Sequence, residues 1–302
     1  MPYSDEKAVE IHRQVQIHGK EYLSQVMGVK VESIERALRH YDRIQTKDLH
    51  AKILLMDIET LPPIFYSWSP FPKYLSHEML IKDWSMICWS AKWLFSSNLI
   101  QAKVTGKEAI ERDDSRIVKK FWDIINEADI VIAHNLKGFD AKKANSRFLF
   151  HELNPPAPYQ MIDTLETARK EFGELYNKLD FLSSKFTGEG KIKTEFDWWR
   201  ACDNGNQEMI DQMSVYCGRD VFALEDYYLR IRPWIKGHPN IALYQVNTEK
   251  ACRNCGSENL KVDGYYYTRV NRYTSYRCLD CGAFSRSRYT DVSKEEKPHI
   301  LT

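Results

Sequence analysis

Three short stretches of the chain hold acids, and in one case a tyrosine, at spacings that hydrolytic chemistry could use. Asp57-Ile58-Glu59 closes an apolar run, Lys52-Ile53-Leu54-Leu55-Met56. Acids two residues apart in a strand point to one face. Burying two carboxylates side by side is costly unless a cation lies between them. Hard oxygen donors suit magnesium or manganese; two exposed strand-end charges would read the same way. His134-Asn135-Leu136-Lys137-Gly138-Phe139-Asp140 follows a second apolar run, Asp129 to Ala133. Tyr216-Cys217-Gly218-Arg219-Asp220 lies in a helical stretch, where Tyr216 and Asp220 share one face about a turn apart. Each has a plainer reading: Asp140 as a helix N-terminal charge, Asp220 as part of a solvated face, Tyr216 as a core side chain.

A second chemistry is carried by Cys252-x2-Cys255 and Cys278-x2-Cys281, with 22 residues between the pairs. Paired CxxC turns at this spacing place four thiolates on one tetrahedral zinc ion, and four protein ligands leave no open position, so the ion is structural. Gly256 and Gly282 follow the second cysteine of each pair and permit the tight knuckle backbone. Tyr265 to Val270 and Tyr273 to Arg277 are β-like, so knuckle, hairpin and knuckle predict a zinc ribbon over 248–290. Tyrosine and arginine alternate through 265–289, which suits stacking on bases and pairing with phosphates; protein docking or simple stabilisation are the other readings. Cys88, Cys202 and Cys217 stand singly and read as small buried residues.

Short β-branched runs alternate with helical stretches over 52–236, which predicts an α/β domain. Ile117 to Ile125 reads as a helix, and Glu208 to Arg232 as a long helix stopped by Pro233. Residues 61–73, with four prolines, and 154–158 read as loops. The first unit, 1–47, is helical: apolar spacing over 6–17 and 31–41, with Gly19 and Gly28 between, outlines a helix-turn-helix. Residues 1–50 carry no net charge, which, with Glu32 and Glu35 near the second helix start, fits partner docking as well as DNA. A polar tail, 291–302, closes the chain.

The net charge of +1 hides an asymmetry: 247–290 carry +4 and 51–246 carry −2. Four thiolates around one zinc ion add a local −2, which offsets part of the basic excess. No apolar run reaches the roughly 20 residues of a membrane span. The N-terminus, Met1 to Lys7, lacks a signal-peptide core. The expected location is cytoplasmic, with no membrane partner.

In order and spacing, the DxE, NxxxFD and YxxxD stretches resemble the three motifs of the DEDD 3′–5′ exonucleases. Tyr216 resembles the tyrosine subgroup. The resemblance covers 52–236 and implies an RNase H-like fold, a mixed sheet flanked by helices. It implies that Asp57, Glu59, Asp140 and Asp220 bind two Mg2+ or Mn2+ ions, with Asp57 shared, and that Tyr216 orients the attacking water. It also implies that Thr60, Leu61, Asn135 and Phe139 contact substrate. Two such ions roughly 4 Å apart activate water and help the 3′ oxygen depart. Asp163, between the second and third motifs, reads as structural. Nucleic acid is the expected partner, DNA favoured for the helix-turn-helix outline. An exoribonuclease of the same superfamily is the alternative, and a binding or regulatory protein with an inactive nuclease core is the rival from another class. A polymerase or other replication or repair protein is a candidate partner.

Overall fold

The computed structural model describes residues 5–35, 37–38, 51–188, 194–245 and 249–301. At the N-terminus, α1 (Asp5–His18) and α2 (Lys20–Met27) are separated by Gly19, whose φ of 82° suits a residue without Cβ. Gly28 ends α2 in the left-handed conformation. Residues 31–35 and 37–38 are helical again; the remainder of the helix expected over 31–41 lies outside the described residues. Ile11, Leu23, Ile34, Ala37 and Leu38 form a small core of their own, which is why three short helices hold together.

The central sheet has five strands. These are β1 (Ile53–Leu61), β4 (Ser85–Trp93), β5 (Ile100–Lys103), β6 (Ile130–Ala133) and β7 (Gln160–Asp163). The two-residue β2 (Ile64–Phe65) and the short β3 (Leu80–Lys82) pair apart from it as a hairpin. The order is β5-β4-β1-β6-β7. β4 is antiparallel to β1 and β5, while β1, β6 and β7 are parallel. A mixed sheet in this order, flanked by helices, matches the RNase H-like fold that the motif resemblance implies.

Among the described residues, seven helices accompany the sheet: α3 (Gly106–Glu111), α4 (Ser115–Ile125), α5 (Asp140–Phe150), α6 (Thr164–Glu171), α7 (Leu179–Thr187), α8 (Phe196–Asp203) and α9 (Gln207–Ile231). α4 lays Ile117, Val118, Phe121, Ile124 and Ile125 against the sheet, touching β4, β5 and α5. These join Leu54, Met56 and Ile58 of β1 and Val131 and Ala133 of β6 in the main core. α8 packs on β1 and α3. Its Trp198 and Trp199 pack on the core half-buried. Gly106 and Gly205 let α3 and the end of α8 approach: a Cβ on Gly106 would stand 2.2 Å from the Gly205 carbonyl oxygen.

The described chain divides into two compact units, one comprising the N-terminal helices with Lys52–Tyr227, the other Ala51 with the residues from Tyr228 onward. In the second, β8 (Leu260–Tyr267), β9 (Arg272–Cys278) and β10 (Phe284–Arg286) form an antiparallel sheet in the order β10-β9-β8. Cys252, Cys278 and Ala283 form a small buried cluster in this unit.

Candidate active site and cysteine site

β1 runs through its acids rather than ending at them. Its pairing with β4 continues past Asp57↔Ser90 and Glu59↔Cys88 to Leu61↔Ser85, with a bulge at Glu59/Thr60. Its parallel pairing with β6 stops at Leu55↔Ile132. The acids therefore emerge just beyond the last β6 partner, on a strand held firmly from one side only. They alternate with Met56 and Ile58, which point into the core.

Glu59, Asp140 and Asp220 each lie near enough to Asp57 for their charges to act on it. Asp57 is pushed well above the ordinary carboxylate range, first by burial and then by the charges of Glu59, Asp140 and Asp220. Its Oδ2 is buried without a hydrogen-bond partner. Asp140, the first residue of α5, is buried too, and its carboxyl is pushed up to about 7, burial being the largest cause. The Ile58 N–H and its own N–H donate to it and act the other way. A buried carboxylate raised by three others, with one partnerless oxygen, is the electrostatic outline of a cation site.

The loop from β6 to α5 is organised by Asp163. Its carboxylate accepts from the Asn135 N–H (3.1 Å) and the Lys137 N–H (3.0 Å), and from Leu165 and Glu166 at the start of α6. One side chain thus caps a helix and fixes the turn that delivers Asp140, in keeping with a structural reading. Asn135 adopts a φ of +74°, a conformation that asparagine tolerates better than most residues. His134 bridges Thr164 Oγ1 and the Asn177 carbonyl, and burial pushes it below the ordinary histidine range.

α9 supplies Tyr216 and Asp220. The Tyr216 hydroxyl is hydrogen-bonded to Asp220 and pushed far above the ordinary tyrosine range, by burial and then by Asp220, Glu59 and Asp57. It stays a neutral phenol at any physiological pH. Gln101 Nε2 donates to the Ser214 carbonyl and to Ser90 Oγ, both at 2.9 Å, fastening α9 to β4 and β5. The buried Lys92–Glu225 pair does the same one turn beyond Asp220, and Phe95 N–H donates to the second Glu225 oxygen at 2.8 Å. Gly218 lies over Leu99 and Gln101, where a Cβ would come within 2.8 Å of both side chains.

Of the positions expected to contact substrate, Thr60 and Phe139 are half-buried and Asn135 sits on the turn before Asp140. The Leu61 side chain is fully buried, so only its main chain is available to a ligand. All three single cysteines are buried, as their type suggested. What spacing did not reveal is that they cluster beneath the acids: Cys217 Sγ donates to the Asp57 carbonyl (3.4 Å) and is hydrogen-bonded to Cys88, with Cys202 close by.

In the second unit, one sulfur from each of Cys252, Cys255, Cys278 and Cys281 lies within 4.8 Å of the other three. Cys252 and Cys281 are 3.7 Å apart and Cys255 and Cys278 3.6 Å apart. A tetrahedral ion with bonds of about 2.3 Å sets sulfur–sulfur edges near 3.8 Å, so this donor set suits zinc. Gly256 and Gly282 take φ values of 79° and 78°, as the knuckles require. Their N–H groups donate to the Cys252 and Cys278 carbonyls.

No family model matches the chain. No curated protein matches it either. One solved structure that it resembles is the family B DNA polymerase from the hyperthermophilic archaeon Pyrobaculum calidifontis, at 16% identity and a TM-score of 0.44, over 74% of this chain and 32% of that one. The chain spans about a third of that polymerase's length. No helix among the described residues is long and apolar enough to cross a membrane.

Proposed function

We propose that the chain is a metal-dependent 3′–5′ exonuclease acting on nucleic acid, DNA in the first place. The observation that carries this reading is Asp57: a buried carboxylate with one partnerless oxygen, pushed upward by Glu59, Asp140 and Asp220. Such a cluster is unfavourable as it stands, and divalent cations reverse its sign.

The four acids would hold two Mg2+ or Mn2+ ions, Asp57 contributing to both. When bound, such ions lower the pKa of a water and stabilise the departing oxygen. The chain's own residues do the positioning. β1 presents Asp57 and Glu59 on one face, the Asp163-organised turn delivers Asp140, and the pinned α9 delivers Asp220. Tyr216, neutral and hydrogen-bonded to Asp220, orients the attacking water without adding charge. Thr60, Asn135, Phe139 and the Leu61 main chain would line the path of the terminal nucleotide. The four cysteines hold a structural zinc ion that stabilises the ribbon. The ribbon's Tyr266, Tyr273 and Arg286 offer a stacking surface, Arg286 lying 5.4 Å from one ring centre and 4.1 Å from the other.

The test is end-labelled single- and double-stranded DNA and RNA, incubated with magnesium or manganese. Release of mononucleotides from the 3′ end, lost on chelation, is the expected result. Products from the 5′ end, or none with either ion, would refute the reading. Faster release from RNA than from DNA would make the enzyme an exoribonuclease.

A further inference from the structure

The segment that follows Leu61 is the least expected surface on the molecule. β2 and β3 pair as a short hairpin, Ile64↔Lys82 and Phe65↔Leu80, and the Tyr66 N–H continues it to the Met79 carbonyl at 2.9 Å. Its base is tied down. Arg112 donates to the Pro62 carbonyl (3.1 Å) and pairs with Asp203 (2.7 Å), which Lys82 also faces at 3.9 Å. Its tip is an ordered turn: Ser67 Oγ donates to the Ser69 carbonyl (2.7 Å), and the Phe71 N–H donates to Ser69 Oγ (3.1 Å). Pro70 and Pro72 flank Phe71 and restrict the backbone further.

From this anchored loop four rings stand in solvent: Tyr66 at 74%, Trp68 at 101%, Phe71 at 87% and Tyr74 at 79% exposure. Exposed single aromatics are ordinary; four within nine residues mark a binding surface. The stretch that carries the rings, 61–77, holds no acid and has Lys73 and His77; the one acid of the hairpin, Glu78, stands beyond the rings just before β3. The loop leaves directly from the strand that carries Asp57 and Glu59. Flat rings spaced two or three residues apart, with a cation and no carboxylate among them, match the needs of a single strand, whose bases stack and whose phosphates repel acids.

We infer that the β2–β3 hairpin is a base-stacking arm that captures the single-stranded 3′ tail of DNA beside the acids. The inference rests on the proposed exonuclease reading for its position, and it names the form of the substrate as single-stranded.

The experiment uses the full, zinc-loaded chain and a fluorescein-labelled oligothymidylate of about fifteen nucleotides, long enough to cover one such site. Binding is read by anisotropy with no divalent ion added. In parallel, hydrolysis of a chromogenic thymidine 5′-phosphate ester with manganese reads the acids alone. W68A/F71A should weaken binding by about tenfold or more, since each stacked base contributes on that scale. W68F, which keeps a ring, should retain most of it. Ester turnover and the melting temperature should be unchanged, because the replaced rings lie in solvent. Wild-type affinity in W68A/F71A, or no binding by the wild type, would overturn the arm; the first result would reassign the rings to a protein partner. Tight ring-dependent binding with no hydrolysis of either substrate would leave the arm standing and defeat the exonuclease reading.

Discussion

A carboxylate oxygen that is buried and lacks a partner is rare, and Asp57 Oδ2 is one. If it awaits a cation, Asp57→Ala and Asp220→Ala should each lower the rate by a factor of about a thousand or more, since each removes several kcal/mol of transition-state stabilisation. Neither should lower the melting temperature, because each relieves repulsion among acids. Normal turnover in a single-turnover assay of either variant would remove this site from consideration. Tyr216→Phe keeps the acids and loses only the hydroxyl that bonds Asp220. A milder loss, roughly 10–1,000-fold, is expected. Unchanged activity would make Tyr216 a packing residue.

At the scale of elements, two close contacts can be tested by stability alone. Gly106 and Gly205 meet backbone to backbone, and Gly205 has a φ of +76°. Gly205→Ala should cost about 2–4 kcal/mol in a denaturant titration, from positive-φ strain and from the clash with Ile110 and the Gly106 carbonyl. A cost below about 0.5 kcal/mol would mean that α3 and α8 separate freely. His238 offers a pH test. Its Nδ1 donates to the Pro239 carbonyl (2.7 Å), so its Nε2 accepts from the Tyr228 hydroxyl (2.8 Å). Burial first, then Arg232 and Arg253, push it down to about 4 from the ordinary 6.5. The unfolded chain therefore takes up this proton before the folded one does. Stability is full above pH 6.5 and falls, by a few kcal/mol at most, as the pH drops towards 4. His238→Gln should flatten that slope relative to the wild type in urea titrations; equal slopes would show that His238 titrates freely.

For the whole molecule, the cysteine unit and the acid cluster lie in different compact units, so grip and chemistry should separate. Cys278→Ser with Cys281→Ser should abolish stoichiometric zinc and unfold the ribbon, whose core is little more than its cysteines and Ala283. Hydrolysis of a saturating short oligonucleotide should survive. Binding of longer strands should weaken and become less salt-dependent, as arginines such as Arg269, Arg272, Arg277, Arg286 and Arg288 lose their scaffold. Anisotropy over a salt series, with single-turnover cleavage alongside, reads both. Loss of cleavage at saturation would mean that the ribbon helps to build the active site.

Local spacing determined much of this by itself. Two CxxC pairs with their glycines specify a four-sulfur site, because ligand geometry is written within each turn. The apolar runs at Ile53 and Ile130 mark the central strands, and Pro233 marks the end of α9 to within two residues. Tyr216 and Asp220 share a helix face whatever surrounds them. Other features were decided only by tertiary contacts. β4 and β5 carry Lys92 and Gln101, whose partners Glu225 and Ser214 lie far along the chain, so neither strand has a clean alternating pattern. β1 extends to Leu61 because β4 pairs with it there. The single cysteines gather beneath Asp57 because Cys88 faces Glu59 across the ladder and α9 brings Cys217 over both. The proline-rich stretch could be read as a loop from its composition. That it holds four rings in solvent follows from where the β2–β3 pairing and Arg112 place it. Exposure belongs to the folded surface, and no spacing of residues encodes it.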